Sequence, residues 1–414
     1  MGLKSFWPQR TEGSETYVDR EKEDGTTDRT IVDGLNALRQ ELDGIDNEFV
    51  DLLARRQDAV ERVAAVKART EAPLRDVQRE ARQIARLAER ARSHGLDEQF
   101  VVRQFRDVID YSVRLQEARL GGSHPGLGLG RPVNVVFQGT EGAFSHIAGR
   151  QFFGPRQTQV NYRGVATFRG LLEEVRTGVA DYGMLPIENT TSGSVHDAYD
   201  ALSTTDLAIV GEEVLRIEMC LIGVAEVPLD SLRQVYSHPQ AILQCTAFLA
   251  ALPNAVVESF IDTAMSVEKV KHDADPTHAA IASAEAAALH GLHVLRRDIA
   301  NHRENYTRFL VIAREAEMWD PRVPCKTSLM FVTHHQRGAL LACLEVLAGH
   351  GLNLTKLESR PRPGRPFEYL FYVDVEGNMA DANVQAAMDE IAKLTLSLKI
   401  FGSYPARTSK SADA

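Results

Sequence analysis

Residues 133–148 read VNVVFQGTEGAFSHIA, an apolar β-branched run, a loop of small residues, then a helix-forming run. That order predicts a strand, a tight turn and a helix, and free backbone N–H groups at such a turn can seat an anion. The alternation continues through FRGLLEEVRTG, ADYGMLPIEN, LAIVGEEV, EMCLIGVA, QVYSHPQ, THAAIASAEAAALHG and RFLVIAR to about Arg314. Residues 132–314 are therefore expected to form an α/β domain of two lobes around a cleft.

Upstream, GGSHPGLGLGRP has glycines but no preceding strand, so residues 121–131 read as a linker rather than a dinucleotide fingerprint. Residues 31–120 carry a helical period instead. From Asp33 to about Arg69, apolar residues fall at Leu35, Leu38, Leu42, Ile45, Phe49, Leu52, Leu53, Val60, Val63 and Val66. A helix of that length is roughly 55 Å long, wider than a lone ninety-residue domain, and requires a partner. Pro73 interrupts it; further helices are expected from about Arg75 to Ser93 and from Asp97 to Arg119. Residues 1–30, polar and poor in apolar anchors, read as a mobile arm.

Downstream, residues 315–325 (EAEMWDPRVPC) read as a second linker, and residues 406–414 as a tail. Between them, residues 326–405 give strand, helix, strand, strand, helix, strand, the ferredoxin-like α+β plan. A length of 414 residues suits such a multidomain chain. The net charge of −10 argues against nucleic-acid binding through bulk positive charge. Cys220, Cys245, Cys325 and Cys343 are too far apart for a zinc knuckle or a CxxC pair, so no metal site is expected and the thiols read as reduced and buried. With no signal-like segment and no long uncharged apolar run, the expectation is a soluble cytoplasmic protein away from membranes.

Within the helical module, Arg56 and Lys67 are eleven residues apart, about three turns, and project from one face some 16 Å apart, within reach of one small anion. Arg39 lies roughly 25 Å from Arg56 along the same rod and is turned away, so it can serve only a neighbouring chain's pocket. Asp76 and Glu80, and Ser112 and Gln116, are i,i+4 pairs that each share a face, a spacing that taken singly marks solvated surface more often than a site. Taken together, LNALRQELDGIDNEFVDLLARR, KARTEAPLRDVQRE and DYSVRLQ resemble the all-α chorismate mutase domain. The resemblance implies an intertwined homodimer or higher homo-oligomer in which Arg39 of one chain completes a chorismate pocket of Arg56, Lys67, Asp76, Glu80, Ser112 and Gln116. Lys67 and Gln116 would donate to the ether oxygen as charge develops on it.

In the central module the polar run from Glu188 through Asn189, Thr191, Ser192 and Gly193 ends a strand, where open α/β sheets place ligands. Ser237-His238-Pro239-Gln240 ends another; Ser237 suits an N-cap and Pro239 the first helical turn, while Gln240 and Gln244 share a face. PIENTTSG, YSHPQAILQC and NYTRFLVIAR together resemble prephenate dehydratase, whose two-lobed plan is like that of periplasmic binding proteins. The resemblance makes Thr307 the key polar catalytic group and Asn189, Thr191, Ser192, Gly193, Ser237, Gln240, Gln244, Arg308 and Phe309 prephenate-binding positions. Thr263-Ala264-Met265-Ser266 stands where the family has a Thr-Ser-Ala-Ala-like segment. His238 is a rival donor to the departing hydroxyl.

Gly338-Ala339-Leu340 and Glu358-Ser359-Arg360-Pro361 read as a helix start and a turn, and also resemble the GAL and ESRP motifs of the ACT regulatory domain. The resemblance implies L-phenylalanine binding at these residues between subunits. The whole then reads as a bifunctional, cofactor-free enzyme converting chorismate to prephenate and prephenate to phenylpyruvate under phenylalanine control. Two alternatives stand beside it: a dehydratase whose helical module only dimerises, and a non-catalytic metabolite-sensing α/β protein.

Overall fold

The computed structural model describes residues 24–70, 72, 74–120, 132–154 and 159–407. In chain order the elements are α1 (Asp24–Lys67), α2 (Val77–Ser93), α3 (Glu98–Leu120), β1 (Val133–Gln138), α4 (Phe144–Phe153), β2 (Val160–Val165), α5 (Phe168–Arg176), β3 (Tyr182–Asn189), β4 (Gly193–Ser194), α6 (His196–Ser203) and β5 (Ala208–Arg216). There follow β6 (Cys220–Gly223), β7 (Gln234–Ser237), α7 (Pro239–Gln244), α8 (Thr246–Leu249), β8 (Val256–Ser259), α9 (Thr263–Asp273), β9 (His278–Ala282), α10 (Ala284–His290), β10 (His293–Arg296) and β11 (Tyr306–Ala313). The last segment holds β12 (Cys325–Thr333), α11 (Ala339–Gly349), β13 (Leu354–Pro361), β14 (Tyr369–Glu376), α12 (Ala382–Leu394) and β15 (Thr395–Pro405).

Two compact units divide after Arg62. The first consists, among the described residues, of the greater part of α1. That helix has 44 residues, about 66 Å of rod. Its exposed apolar residues Leu35, Leu38, Leu42, Ile45, Phe49 and Leu52 alternate three and four apart, the spacing of a coiled-coil seam. The helix begins at Asp24, so residues 24–30 of the expected mobile arm are helical; the rest of the arm and residues 121–131 lie outside the described residues.

In the second unit, α2 packs on α3, with Ala88, Ala91, Val102, Ile109 and Val113 buried. The central module has two sheets, one ordered β2-β1-β3-β11-β5 with β4 beside β3, the other β10-β6-β9-β7-β8. β1, β2 and β3 run parallel, whereas β11 is antiparallel to both neighbours, β3 and β5. The C-terminal segment forms an antiparallel sheet ordered β13-β14-β12-β15, the ferredoxin-like arrangement expected.

Strand alternation assigns that sheet two jobs. Leu329 and Phe331 of β12 face α11 and α12, where Cys343, Leu347, Ala387 and Ile391 are buried. Met330 and Val332 face the other way, into a core shared with Ile187, Ile209, Leu310 and Ile312 of the central module. The expected linker 315–325 is also packed: Trp319, Val323 and Cys325 are buried with Leu74 of the segment before α2. Arg322 donates to Lys67 O and Thr70 O. The tail is pinned at its start, where Ala406 N donates to Pro324 O and Arg407 pairs with Glu117. Short turn-like stretches between domains read as linkers because polar and Gly/Pro content signals a break in periodicity, which is silent about what the few apolar residues bury.

β15 meets the central module closely at Gly402, whose φ is 143°. A Cβ there would lie 2.6 Å from Ile209 O of β5. Gly402→Ala is therefore expected to lower unfolding stability by about 1–3 kcal/mol, as overpacking does. A urea midpoint equal to that of the parent would contradict this close approach.

Candidate functional site

Adjacent residues of a strand face opposite sides of the sheet, and the antiparallel register sets Thr307 against Asn189 and Arg308 against Glu188. One side of this strand pair therefore presents Asn189 and Thr307 together, and the other presents Glu188 and Arg308. Asn189 is the hub of the first side. Its Nδ2 donates to Thr307 Oγ1 at 2.9 Å, Asn305 Oδ1 at 2.7 Å and Tyr306 O at 3.0 Å. Its Oδ1 accepts from Thr191 N and Oγ1, Ser192 N and Oγ, and Gln244 Nε2 at 3.3 Å. Gly193, with φ of 80°, lets the chain turn into β4.

Gln244, at the end of α7, ties the two lobes by also accepting from Asn305 Nδ2 at 2.9 Å. Asn305 is 1% exposed and was not among the expected site residues. Its signal was available: two residues before Thr307, it shares that residue's face. Thr140 adds hydrogen-bonding capacity in the loop after β1, its Oγ1 being buried without a partner.

His238, rather than Ser237, caps α7, its Nδ1 accepting from Gln240 N at 3.2 Å. Ser237 is fully buried and donates to Ile281 O at 2.7 Å, so it holds two strands together instead of lining the cleft as expected. Gln240 is exposed. Burial holds the His238 imidazole below its ordinary value against the opposing pull of Asp262, which itself caps α9 through Met265 N. Thr263 opens that helix, half-buried.

Arg308 and Phe309 do not line the cleft, contrary to expectation. Phe309 is 1% exposed, in the core with Phe137, Met184 and Val311. Arg308 points to the underside, donating to Glu212 at 2.6 Å, Asp374 at 2.6 Å and Tyr404 OH at 2.9 Å. Burial alone would lower its pKa, but Asp374 and Glu212 raise it well above the ordinary value. A TRF motif reads as three consecutive site residues only if strand alternation is set aside.

In the helical module, Arg39 and Arg56 lie on α1 in the first unit. In the second unit Lys67 Nζ donates to Leu74 O at 2.6 Å, and its pKa is lowered by burial and by Arg79 against Asp76 and Glu80. Asp76 caps α2 through Arg79 N, while Glu80 pairs with Arg75. Ser112 donates to Val108 O, and Gln116 Nε2 to Ser112 O. Gln116 Oε1 is buried without a partner.

On the C-terminal sheet, Gly338 caps α11 with φ of 75° and is exposed, with Ala339 and Leu340 in the first turn. Glu358 accepts from Ser194 Oγ at 2.5 Å, and Arg360 forms a two-pronged pair with Asp200 at 2.8 and 3.0 Å. Ser359 and Pro361, on the alternate face of β13, are exposed. The expected effector set is thus split between two faces, because Glu358–Pro361 close a strand, as the sequence pattern predicts, and alternate along it. Among the described residues no group of His, Cys, Asp and Glu is arranged to hold a metal, and no helix is long and apolar enough to cross a membrane. The four cysteines are buried and unbridged, and burial pushes the Cys245 thiol up to about 12.

Two family models match the chain: chorismate mutase type II over residues 38–117 and prephenate dehydratase over residues 135–317. A bifunctional chorismate mutase/prephenate dehydratase of Escherichia coli K12 is 39% identical over 90% of this chain and 96% of its own. A solved prephenate dehydratase from Arthrobacter aurescens in complex with L-Phe is 30% identical, covering 66% of this chain and 90% of its own with a TM-score of 0.61. A solved structure described as GqqA, a novel type of quorum-quenching acylase, is 35% identical over 66% of this chain and 98% of its own, with a TM-score of 0.60.

Asn189→Ala leaves the buried amide of Asn305 and the half-buried amide of Gln244 short of partners. Each such group costs about 1–3 kcal/mol, so a loss of at least about 2 kcal/mol is expected by denaturant titration. A loss below about 0.5 kcal/mol would mean that Asn189 is not the hub.

Proposed function

The chain belongs to the bifunctional chorismate mutase/prephenate dehydratase family, and from that premise we propose how its residues divide the work. The protein rearranges chorismate to prephenate and converts prephenate to phenylpyruvate on the way to phenylalanine. The second step breaks a ring-to-carboxylate C–C bond, sends its electron pair into the ring and expels the ring hydroxyl, which needs a proton or hydrogen bond as it departs.

The Asn189–Thr307 pair carries the reading. Because Thr307 Oγ1 accepts from Asn189, its own O–H is left to donate into the cleft toward the departing hydroxyl. Aromatisation supplies most of the driving force, so a donor with no acidity at neutral pH suffices. His238 fits the acid's part less well. Its depressed pKa leaves the ring neutral near pH 7, and its Nδ1 is committed to the cap. Thr191, Ser192 and Gly193 hold the polar loop around Asn189, and Gln240 and Gln244 approach from the second lobe. Among the described residues, Ser237 and the cysteines fit an acyl-transfer nucleophile poorly: Ser237 is spent on Ile281 O, and burial raises the thiols.

The mutase reaction is unimolecular and needs shape and charge rather than a nucleophile. Lys67 and Gln116 are its electrostatic donors, with Asp76, Glu80 and Ser112 as further chorismate-binding positions of the second unit; Arg56 and Arg39 of the first unit are carboxylate-binding positions, Arg39 serving a second chain. The exposed heptad-spaced row on α1 supports a helical dimer seam. The C-terminal module acts as an ACT domain for L-phenylalanine; the L-Phe complex of the Arthrobacter relative and the exposure of Gly338 and Ser359 support this.

Purified protein given chorismate should release prephenate and then phenylpyruvate, with the second product falling when phenylalanine is added. Lys67→Ala is expected to cut mutase turnover at least about a hundredfold, the scale of a lost transition-state donor, while sparing dehydration of supplied prephenate. Near-parent mutase turnover would remove Lys67 from the mechanism. Thr307→Val should nearly abolish dehydration, whereas His238→Asn should retain most of it. The sign of the His238 shift matters: a folded pKa below the ordinary 6.5 keeps the ring neutral, with its stabilising contribution intact, above pH 6.5 and loses it as pH falls. The His238→Asn variant should therefore follow the parent's dehydratase pH profile above 6.5, whereas a parent rate that falls with rising pH and a variant that lacks this fall would reinstate His238 as the acid.

A further inference from the structure

Beneath the Asn189–Thr307 pair lies a second registered pair, Glu188 and Arg308. It faces a third, Lys356 and Asp374, which are themselves register partners on β13 and β14. The charges cross: Lys356 Nζ meets Glu188 Oε1 at 2.8 Å, and Arg308 Nη1 meets Asp374 Oδ2 at 2.6 Å. Lys326 of β12 adds a bond to Glu212, which also holds Arg308. Glu358 also lies 3.7 Å from Lys356 Nζ, so the cluster sets Arg308, Lys326 and Lys356 against Glu188, Glu212, Asp374 and Glu358 at the face where the C-terminal sheet meets the central one.

We propose that Glu188 and Arg308 are positioning residues for dehydration, through which the C-terminal sheet sets the placement of Asn189 and Thr307. One peptide bond separates each underside residue from its cleft neighbour, and in a paired strand it has no free rotation to absorb a shift. Displacement of Lys356 and Asp374 is carried to the Asn189–Thr307 hydrogen bond, and a misplacement of about 1 Å at a reacting group costs on the order of a hundredfold in rate. Arg308 touches no substrate in this role, and the regulatory-type sheet becomes part of the dehydratase's own framework. A cluster that merely glued two domains together would lower stability and leave turnover per folded molecule unchanged.

A charge-exchange cycle in the full-length protein separates these roles. Glu188→Lys and Lys356→Glu are each expected to lower dehydratase kcat about tenfold or more, with KM for prephenate within about twofold and mutase turnover unchanged as the check on folding. The double exchange, which restores an opposite-charge pair, should return kcat to within about threefold of the parent. Parent-like kcat in both single variants, a double variant no better than the worse single, or a change in KM alone would overturn the proposal. If a reversal abolishes mutase turnover as well, Lys356→Met, which removes the charge without reversing it, decides: a fall in dehydratase kcat of about threefold or more is expected, and no fall overturns the proposal.

Discussion

Strand β11 is covered on both faces, and its consecutive side chains have no choice but to serve opposite neighbours. Thr307 is delivered to the cleft because Arg308 is delivered to the C-terminal sheet, and Phe309 returns to the core beside the cleft. This alternation governs the rest of the second unit. It requires an antiparallel β3 partner that offers Asn189 above and Glu188 below, and a domain underneath able to neutralise a buried guanidinium.

That neutralisation is demanding. A charge moved out of water loses hydration worth several kcal/mol even after relaxation, and breaking a buried pair leaves the survivor uncompensated. The protein meets the cost with geometry: Arg308 uses three nitrogens on two carboxylates and a phenol, and Glu212 accepts in addition from Lys326 and Arg407 N. Glu212 stays ionised although fully buried, since Arg308 and Lys326 outweigh its desolvation. Well-packed apolar replacements of buried ion pairs are often neutral for stability, but they do not fix one strand against another at a single offset. The ionic arrangement contributes specificity of placement more than strength.

Much of this was legible in the residues. Helical periodicity placed three helices to within a few positions at most ends, although α1 begins nine residues before the expected Asp33 because polar residues at a helix start leave no apolar trace. The βαββαβ order of the last segment and the strand-end location of Asn189 and Thr307 followed from alternation and turn residues. What escaped was contact between distant segments. Nothing local says that Arg308 finds Asp374, that Glu358 meets Ser194, or that Trp319 buries against Leu74. Motif resemblance compounded the error at Arg308 and Phe309 by treating neighbours in sequence as neighbours in function. The same alternation, applied to the site itself, would have selected Asn305 in their place.

The connector after β11 bears on how such chains can be taken apart. Arg322 grips the carbonyls of Lys67 and Thr70, and Trp319 and Val323 close over Leu74, so a segment more than two hundred residues downstream finishes the end of α1. The natural breakpoints of this polypeptide are therefore not the ones a map of its catalytic regions would suggest. A chimaera that transplants the helical region without residues 319–323 carries away a helix terminus with its covering left behind, and a fusion engineer would do better to treat those five residues as part of the donor.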